Sequence, residues 1–432
     1  MLAGAILIAQ QPAAAPPAGE PGAAKGPARG RGPGRGAPQY QLEKGKPIDN
    51  RPSSKTDDHS LWEGQTRAPY EPSGVAFTVT TVTDKLVAPW SILPDGKMLV
   101  TEKQGNLRVV SADGTVSEPL QGVPMVHFQG QVGLLDLALD KNFAQNRRIF
   151  FTYSENVNDM DSHIVLASAT LNSDLKAITG AKIILGSMPA LDNRRYGANQ
   201  GGRIAIDRDG NLFVIIGDRA PTPPSDYGQQ NETTIGKVLH LTPEGKPVPG
   251  NPFLGKPGYA PEVYSMGHRS PEGLAINPAN GELWETEHGP QGGDELNKIE
   301  AGKNYGWPVI THGIDYNNQP IKEGIVEKAG MEQPRYYWNP VIAPSGMAFY
   351  QGNQFPDWKD SIFVGGLGGQ LLDRLHMDWK TNKVIGEEPL LLAPDVRARI
   401  RDVRFGPDGM IYVLTDSNPP ATAKMLKLTP KK

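Results

Sequence analysis

The chain contains no cysteine, which excludes disulfides, thiolate metal centres and cysteine nucleophiles. Aromatic residues make up only 7% of it and charged residues 21%, with a formal net charge of -3. Neither a basic surface for nucleic acid nor one for anionic membranes is therefore encoded. Long apolar runs are missing too: beyond residues 2–9 no stretch approaches the roughly 20 residues that a spanning helix needs, so no membrane insertion is expected. What the chain has in quantity is glycine, 50 residues, and proline, 40, in a length of 432. That composition suits a turn-rich all-β protein carrying some low-complexity sequence.

The order of these residues divides the chain. Residues 2–9 are a short apolar run followed by a small-residue region, the pattern of a secretory signal peptide without its basic start. Periplasmic or secreted localisation is the expectation that follows. Residues 10–38 are almost entirely Ala, Pro, Gly and Arg, too apolar-poor to offset the entropy of ordering, so 1–38 reads as a signal remnant and disordered leader. Residues 39–72 are polar and punctuated by proline, expected as an extended segment along the folded body without a core of its own. The globular domain is expected over residues 73–432.

Within that domain one pattern recurs: an apolar strand, a turn rich in Pro, Asp, Asn and Gly, then a second apolar strand. The copies begin at Trp90, Leu135, Arg203, Gly273, Gly346 and Asp402. An Asp-Gly or Asn-Gly turn between β-favouring runs marks a hairpin. Six hairpins spaced at about 60 residues leave room for a four-stranded blade of about 40 to 50 residues plus loops. The sequence thus predicts an all-β fold, a six-bladed β-propeller of four-stranded antiparallel sheets, in which each blade buries its faces against its neighbours. Residues 77–82 are expected to close the ring by pairing into the last blade beside Leu414.

Residues just before each inner strand of a propeller meet at one mouth of its axis. Here they are Pro89 and Trp90; Gln129, Gly130 and Gln131; Asn199 and Gln200; His268, Arg269 and Ser270; Ala343, Pro344 and Ser345; and Arg399 and Arg401. Three guanidinium groups in one funnel repel one another unless a carboxylate-rich or polyanionic ligand matches them. The alternative is that they pair with local acids such as Asp402 or Glu272 and brace the ring. Glu287-His-Gly-Pro-Gln-Gly-Gly-Asp-Glu295 adds exposed carbonyls and the hard oxygens of Glu287, Asp294 and Glu295, donors that calcium prefers. His288 there is either a ligand or a satisfied loop histidine.

Together, Gly130-Gln-Val-Gly-Leu-Leu-Asp136, Gly201-Gly-Arg203, Gly267-His-Arg-Ser-Pro-Glu-Gly-Leu-Ala275, Glu287-His-Gly-Pro290, Asn304-Tyr-Gly-Trp-Pro308, Ala343-Pro-Ser-Gly-Met-Ala-Phe349 and Arg399-Ile-Arg-Asp-Val403 resemble the glucose/sorbosone dehydrogenase family. The likeness, which extends from about residue 82 to the C-terminus, is to soluble aldose sugar dehydrogenases that use pyrroloquinoline quinone (PQQ). The resemblance implies that PQQ, a tricarboxylate, lies on Arg269, Ser270, Arg399 and Arg401, with Gln131 near the reacting carbonyl or the sugar. It implies calcium on the carbonyls of Gly289 and Pro290, and a second, structural calcium at Glu295 and the backbone of Tyr305. An external electron acceptor and a small carbohydrate or alcohol substrate complete the picture.

The sequence departs from the pattern where the chemistry is most exposed. The family's catalytic histidine stands two residues before Gly-Gly-Arg, and this chain has Asn199 there; an amide is not a general base near neutral pH. Ser270 replaces an asparagine, Gly368 a lysine and Val341 a hydroxyl residue. His127, four residues before Gln131, is a candidate replacement base or an exposed loop histidine. Three readings stay open: a PQQ- and calcium-dependent sugar or alcohol oxidoreductase, a metal-assisted hydrolase or lyase on the same propeller, and a non-catalytic carbohydrate-binding propeller.

Overall fold

Six antiparallel sheets stand around one axis in the computed structural model, which describes residues 38–55, 67–95, 97–192, 197–220, 224–417 and 422–431. The expected signal remnant and most of the leader lie outside the described residues. The inner strands of blades 1 to 6 are Pro89–Asp95, Leu134–Leu139, Gly201–Ile206, Pro271–Ile276, Pro344–Phe349 and Arg399–Phe405. Each packs against the inner strands of the two neighbouring blades, and the circuit closes from blade 6 back to blade 1. This is the six-bladed propeller expected from the hairpin repeat. Helix among the described residues amounts to the single turn Phe143–Asn146 and two short 3-10 turns.

The repeat folds as hairpins because its turn residues bind their own backbone. Asp207 accepts the N–H groups of Asp209 and Asn211 through Oδ1, both at 2.8 Å. Asn277 and Asp408 make the corresponding turns in blades 4 and 6. Between the sheets lie continuous apolar layers, such as Leu135, Phe150, Ile204, Val214 and Leu239 across blades 2 and 3. These layers bind each blade to the next and so hold the axis.

Two expectations need correction. Blade 1 has three strands among the described residues rather than four: after Asn106–Val110 the chain makes only an isolated bridge from Val110 to Val116. The ring is closed by Phe77–Val87, which pairs with Thr422–Pro430 at the outer edge of blade 6. It therefore sits one strand further out than Leu414, because Thr422–Pro430 takes the place beside Ile411–Asp416.

Residues 38–55 and 67–76 lie on blades 4 and 5. Ile48 and Ala68 are fully buried, and Arg67 donates to both carboxylate oxygens of Glu387, with the shortest contact 2.6 Å. Tyr40 donates to the carbonyl of Gly369 at 2.9 Å. A segment that looks polar by composition thus anchors through a buried ion pair and a few small apolar side chains.

One local irregularity recurs and matters for the site. Every inner strand has a register shift near its start, for example between Gly201 and Ile204, Pro271 and Gly273, and Ile400 and Asp402. A bulge re-aims side chains at a strand end, and here six of them surround the axis. Glycine is required where these strands crowd: a Cβ on Gly346 would lie 2.0 Å from Asp402 Oδ1, and one on Gly217 would lie 2.0 Å from the Asn199 carbonyl.

Candidate functional site

The axis carries two charged layers. The inner one is a hub formed by Asp136 of blade 2, Arg203 of blade 3 and Asp402 and Arg404 of blade 6. Arg203 contacts Asp136 at 3.3 Å and Asp402 at 3.2 Å, while Arg404 contacts the same two acids at 3.5 and 3.3 Å. Arg203 is 1% exposed and stacks on Trp90, 4.0 Å from the ring centroid. Two cations meet two acids, and the layer is electrically closed.

The second layer faces the mouth and holds Lys103, Arg269, Arg399 and Arg401. Arg401 contacts Asp416 at 3.1 Å and Glu272 at 3.5 Å, and Arg399 contacts Asp416 at 3.5 Å. The bracing pairs are thus partly real, but with Glu272 and Asp416 rather than Asp402, which is taken up in the hub. Burial alone would raise Asp416, yet Arg401, Lys103 and Arg399 together hold it below the usual carboxylate range. Burial, joined by repulsion from Arg401, lowers Lys103 from the ordinary lysine value. Arg269 donates to the carbonyls of His288 and Gly289 at 2.9 and 2.8 Å and lies over the Trp307 ring. Its Nε and the Ser270 hydroxyl are buried and meet no hydrogen-bond partner among the described residues.

The mouth is continuous with the expected substrate side. Gln131 Oε1 accepts the backbone N–H of Asn199 at 2.9 Å. Asn199, at φ +50°, a conformation asparagine tolerates, donates from Nδ2 to Asp218 Oδ1 at 2.8 Å. Asp218 also accepts from Trp307 Nε1 and the Ala220 backbone, and its own N–H donates to the Arg269 carbonyl. Burial raises Asp218, against the pull of Arg269 and these donors. His127 lies on the loop leading to Gln131, its backbone tied to Ser154. Burial and the nearby Arg219 lower its pKa.

The proposed metal positions fall partly together. Gly289, Glu295 and Tyr305 line one cavity with Arg269, Glu287, His288, Trp307 and Thr311, and Pro290 does not line it. In this structure Arg269 already occupies the Gly289 carbonyl. Tyr305 donates from its hydroxyl to the Lys298 carbonyl. Asp294, read from the sequence as a calcium donor, instead accepts the backbone N–H groups of Gly289, Ile342 and Ala343, pinning the loop; burial pushes it up to about 7. His288 is buried and donates to the Pro344 carbonyl at 2.6 Å, with burial taking its pKa down to about 3. It is a satisfied loop histidine. His268, grouped by sequence with the mouth, turns away from it towards Ser265 and Glu287.

Lys103, Asp218 and Asp416 were not singled out from the sequence. A signal existed: the second strand of four hairpins ends on, or one or two residues before, an acid at the mouth, namely Glu102, Asp218, Glu287 and Asp416. Glu102 and Glu287 accept the N–H of Val87 and Arg269, residues just before the inner strands.

A closed six-bladed propeller with a cation-rich, partly unsatisfied axial funnel is the class of protein that fold and site define. The family model described as Glucose / Sorbosone dehydrogenase matches residues 86–424. The chain is 41% identical over 357 residues to the aldose sugar dehydrogenase YliI of Escherichia coli, covering 82% of this chain and 93% of that one. The solved apo-form of the soluble aldose sugar dehydrogenase from Escherichia coli superposes with a TM-score of 0.76 at 39% identity, covering 82% of this chain and all of that one. The PQQ-bound aldose sugar dehydrogenase from Streptomyces coelicolor gives 0.65 at 26% identity, over 83% of this chain and 99% of that one. The chain belongs to the glucose/sorbosone dehydrogenase family and is a dehydrogenase-like oxidoreductase. No helix among the described residues is long and apolar enough to cross a membrane.

Proposed function

We propose that this protein is a periplasmic or secreted quinoprotein that oxidises an aldose or related alcohol in the axial funnel, using PQQ and calcium and passing electrons to an external acceptor. The observation that carries the reading is the cluster of cations at the mouth: Lys103, Arg399 and Arg401 share the acids Asp416 and Glu272, the latter raised by burial, while Arg269 forms no ion pair among the described residues. Guanidinium groups gathered in this way favour an anionic ligand. The unsatisfied Arg269 Nε and Ser270 Oγ are donors for that ligand. A tricarboxylate fits these residues.

Arg269, Ser270, Arg399 and Arg401 would hold the quinone. The carbonyls of Gly289 and Pro290 would hold the calcium beside it, once Arg269 releases Gly289, and Glu295 and Tyr305 a second ion. Bound there, the quinone supplies the two-electron acceptor and calcium the Lewis acid that polarises it. The protein's own residues bind and orient the substrate. Gln131 spends its carbonyl on Asn199 and keeps its amide N–H groups for a sugar hydroxyl. The Asn199 carbonyl can accept a hydrogen bond from the reacting hydroxyl but cannot take its proton, and Asp218 is already engaged by three donors. The imidazole of His127, on the loop leading to Gln131 and with its pKa lowered by burial, is the candidate to accept the proton.

The test is to add PQQ and calcium to the purified protein, follow cofactor absorbance, and measure dye reduction with aldoses. Tight binding with turnover is expected. Asn199→His is expected to raise kcat by about 10²- to 10⁴-fold, the usual worth of a general base, and His127→Ala to abolish the residual rate. Failure to bind the quinone, with calcium still bound, would overturn the reading.

A further inference from the structure

A second cluster of ionisable side chains adjoins the funnel between the sheets of blades 3 and 4 and shares Glu287 with the cavity lined by Arg269 and Gly289. Glu285 and Glu287 project from one face of Leu283–Glu287, and the paired residues across the sheet are Asn297 and Glu295. His268 reaches the same space from the end of blade 3. His268 and Glu285 are 0% exposed and Glu287 4%. Apolar Val238, Ile215, Leu283 and Ile299 form the adjoining layer.

The donors present do not satisfy this cluster. Asn297 Nδ2 is shared among Glu285, Glu287 and Glu295 at 3.2, 3.3 and 3.1 Å, three acceptors for two hydrogens. Glu287 Oε2 is taken by the Arg269 backbone N–H, while Glu285 Oε1 is buried without a partner. His268 is held by Ser265 Oγ at Nε2 and by stacking on Tyr305 at 4.9 Å. Its Nδ1 is buried and unpartnered, aimed at Glu287 Oε1 from 3.6 Å, too far for a hydrogen bond. An imidazole nitrogen and two carboxyl groups thus converge, with His268 Nδ1 and Glu285 Oε1 unpartnered among the described residues.

The geometry points to a buried divalent transition-metal site formed by His268 Nδ1, Glu285 and Glu287. One ligand atom from each lies within 4.8 Å of the others. Two ligands at ~2.1 Å from a tetrahedral ion are ~3.4 Å apart, so closure around the ion needs side-chain shifts of up to about 1 Å. One nitrogen with carboxylate oxygens suits zinc, manganese or iron(II) better than calcium, which favours oxygen alone. None of the four positions assigned to calcium by family resemblance supplies a ligand. Glu285 and Glu287 bring two carboxylates to one dication, with Glu295 a third acid beside them. The ion would fix Glu287, and through its bond to the Arg269 N–H it would set the backbone from which that arginine enters the funnel. The inference stands independently of the quinone.

The experiment uses the full chain without added quinone or calcium, produced with zinc, manganese and iron in the medium and passed over a chelating resin. Metals are then counted by inductively coupled plasma mass spectrometry. The wild type is expected to retain one transition-metal ion per chain, and Glu285→Gln and Glu285→Leu to lose it with calcium content unchanged. Wild-type protein stripped of metal should gain thermal stability on zinc addition, and the Gln variant, which keeps the side-chain shape, should not. Wild type without a transition metal and without a zinc response would overturn the site. So would retention of the ion in both variants, or a metal-free Glu285→Leu protein more stable than the wild type as isolated, the signature of a protonated acid with no ion.

Discussion

The hub and the funnel mouth bury the same kinds of side chain a few residues apart, and they differ in arithmetic. In the hub, Arg203 and Arg404 meet Asp136 and Asp402, two against two. At the mouth, Lys103, Arg399 and Arg401 share Asp416 and Glu272, and Arg269, near Asp218 and Asp294, donates to carbonyls rather than to an acid. A balanced layer has completed its interactions and serves the ring. An unbalanced one is complete only with something added. The contrast separates structural arginines from ligand-binding ones in a way that a count of arginines cannot.

The comparison can be broken most forcefully at the hub. Arg203→Met leaves Asp136 and Asp402 sharing one cation, and is expected to cost about 3 to 5 kcal/mol of stability, read as a lowered urea midpoint. If Arg203→Met instead left the fold intact and weakened only ligand binding, the division of labour would be wrong. At the mouth the reverse is expected: Arg399→Ala, at a partly exposed side chain, should leave the urea midpoint nearly unchanged. It should weaken quinone binding by about 2 to 4 kcal/mol if a ligand carboxylate is desolvated there, measured by titration of cofactor absorbance. An unchanged affinity would make Arg399 a structural residue like Arg203.

A pH-dependent effect sharpens the comparison with a third way of burying a cation. Lys237 forms no ion pair among the described residues; Nζ donates to the carbonyls of Tyr227, Gly228 and Ile235, and the charge of Glu232 offsets its burial only in part. Burial pushes it down to about 7, whereas an unfolded lysine keeps its proton to about 10.4. Between these values the unfolded chain binds more protons, so stability should rise with pH from about 7 to about 10, by at most about 1.4 kcal/mol per unit. Lys237→Met should flatten that slope in urea midpoints measured across the range.

Much of the architecture was readable before any coordinates. The Asp207 and Asp408 turns announce their hairpins because a short carboxylate binding its own backbone is a local interaction. Six such hairpins imply six blades. The convergence of Gln131, Asn199, Arg269, Arg399 and Arg401 follows from the same repeat. Ring closure was placed one strand too far in, since nothing local distinguishes Phe77–Val87 pairing with Thr422–Pro430 from pairing with Ile411–Asp416. His268 and Asp294 were misread for a related reason: a bulge and a loop decide where their side chains point, and neither leaves a mark in composition. Lys103 went unnoticed because it is basic like 43 other lysine and arginine residues among the 44 of the chain.

The sequence by itself determined the number of hairpins, the absence of thiol chemistry, and which basic residues stand at the starts of inner strands, all properties of residue type and short-range order. Only the tertiary structure decided which guanidinium is neutralised, which carboxylates crowd around Asn297, and which imidazole nitrogen is left facing them. Coulomb energy depends on distance and on the surrounding dielectric. Both are set by how six sheets pack around an axis, across separations of hundreds of residues that no local pattern encodes.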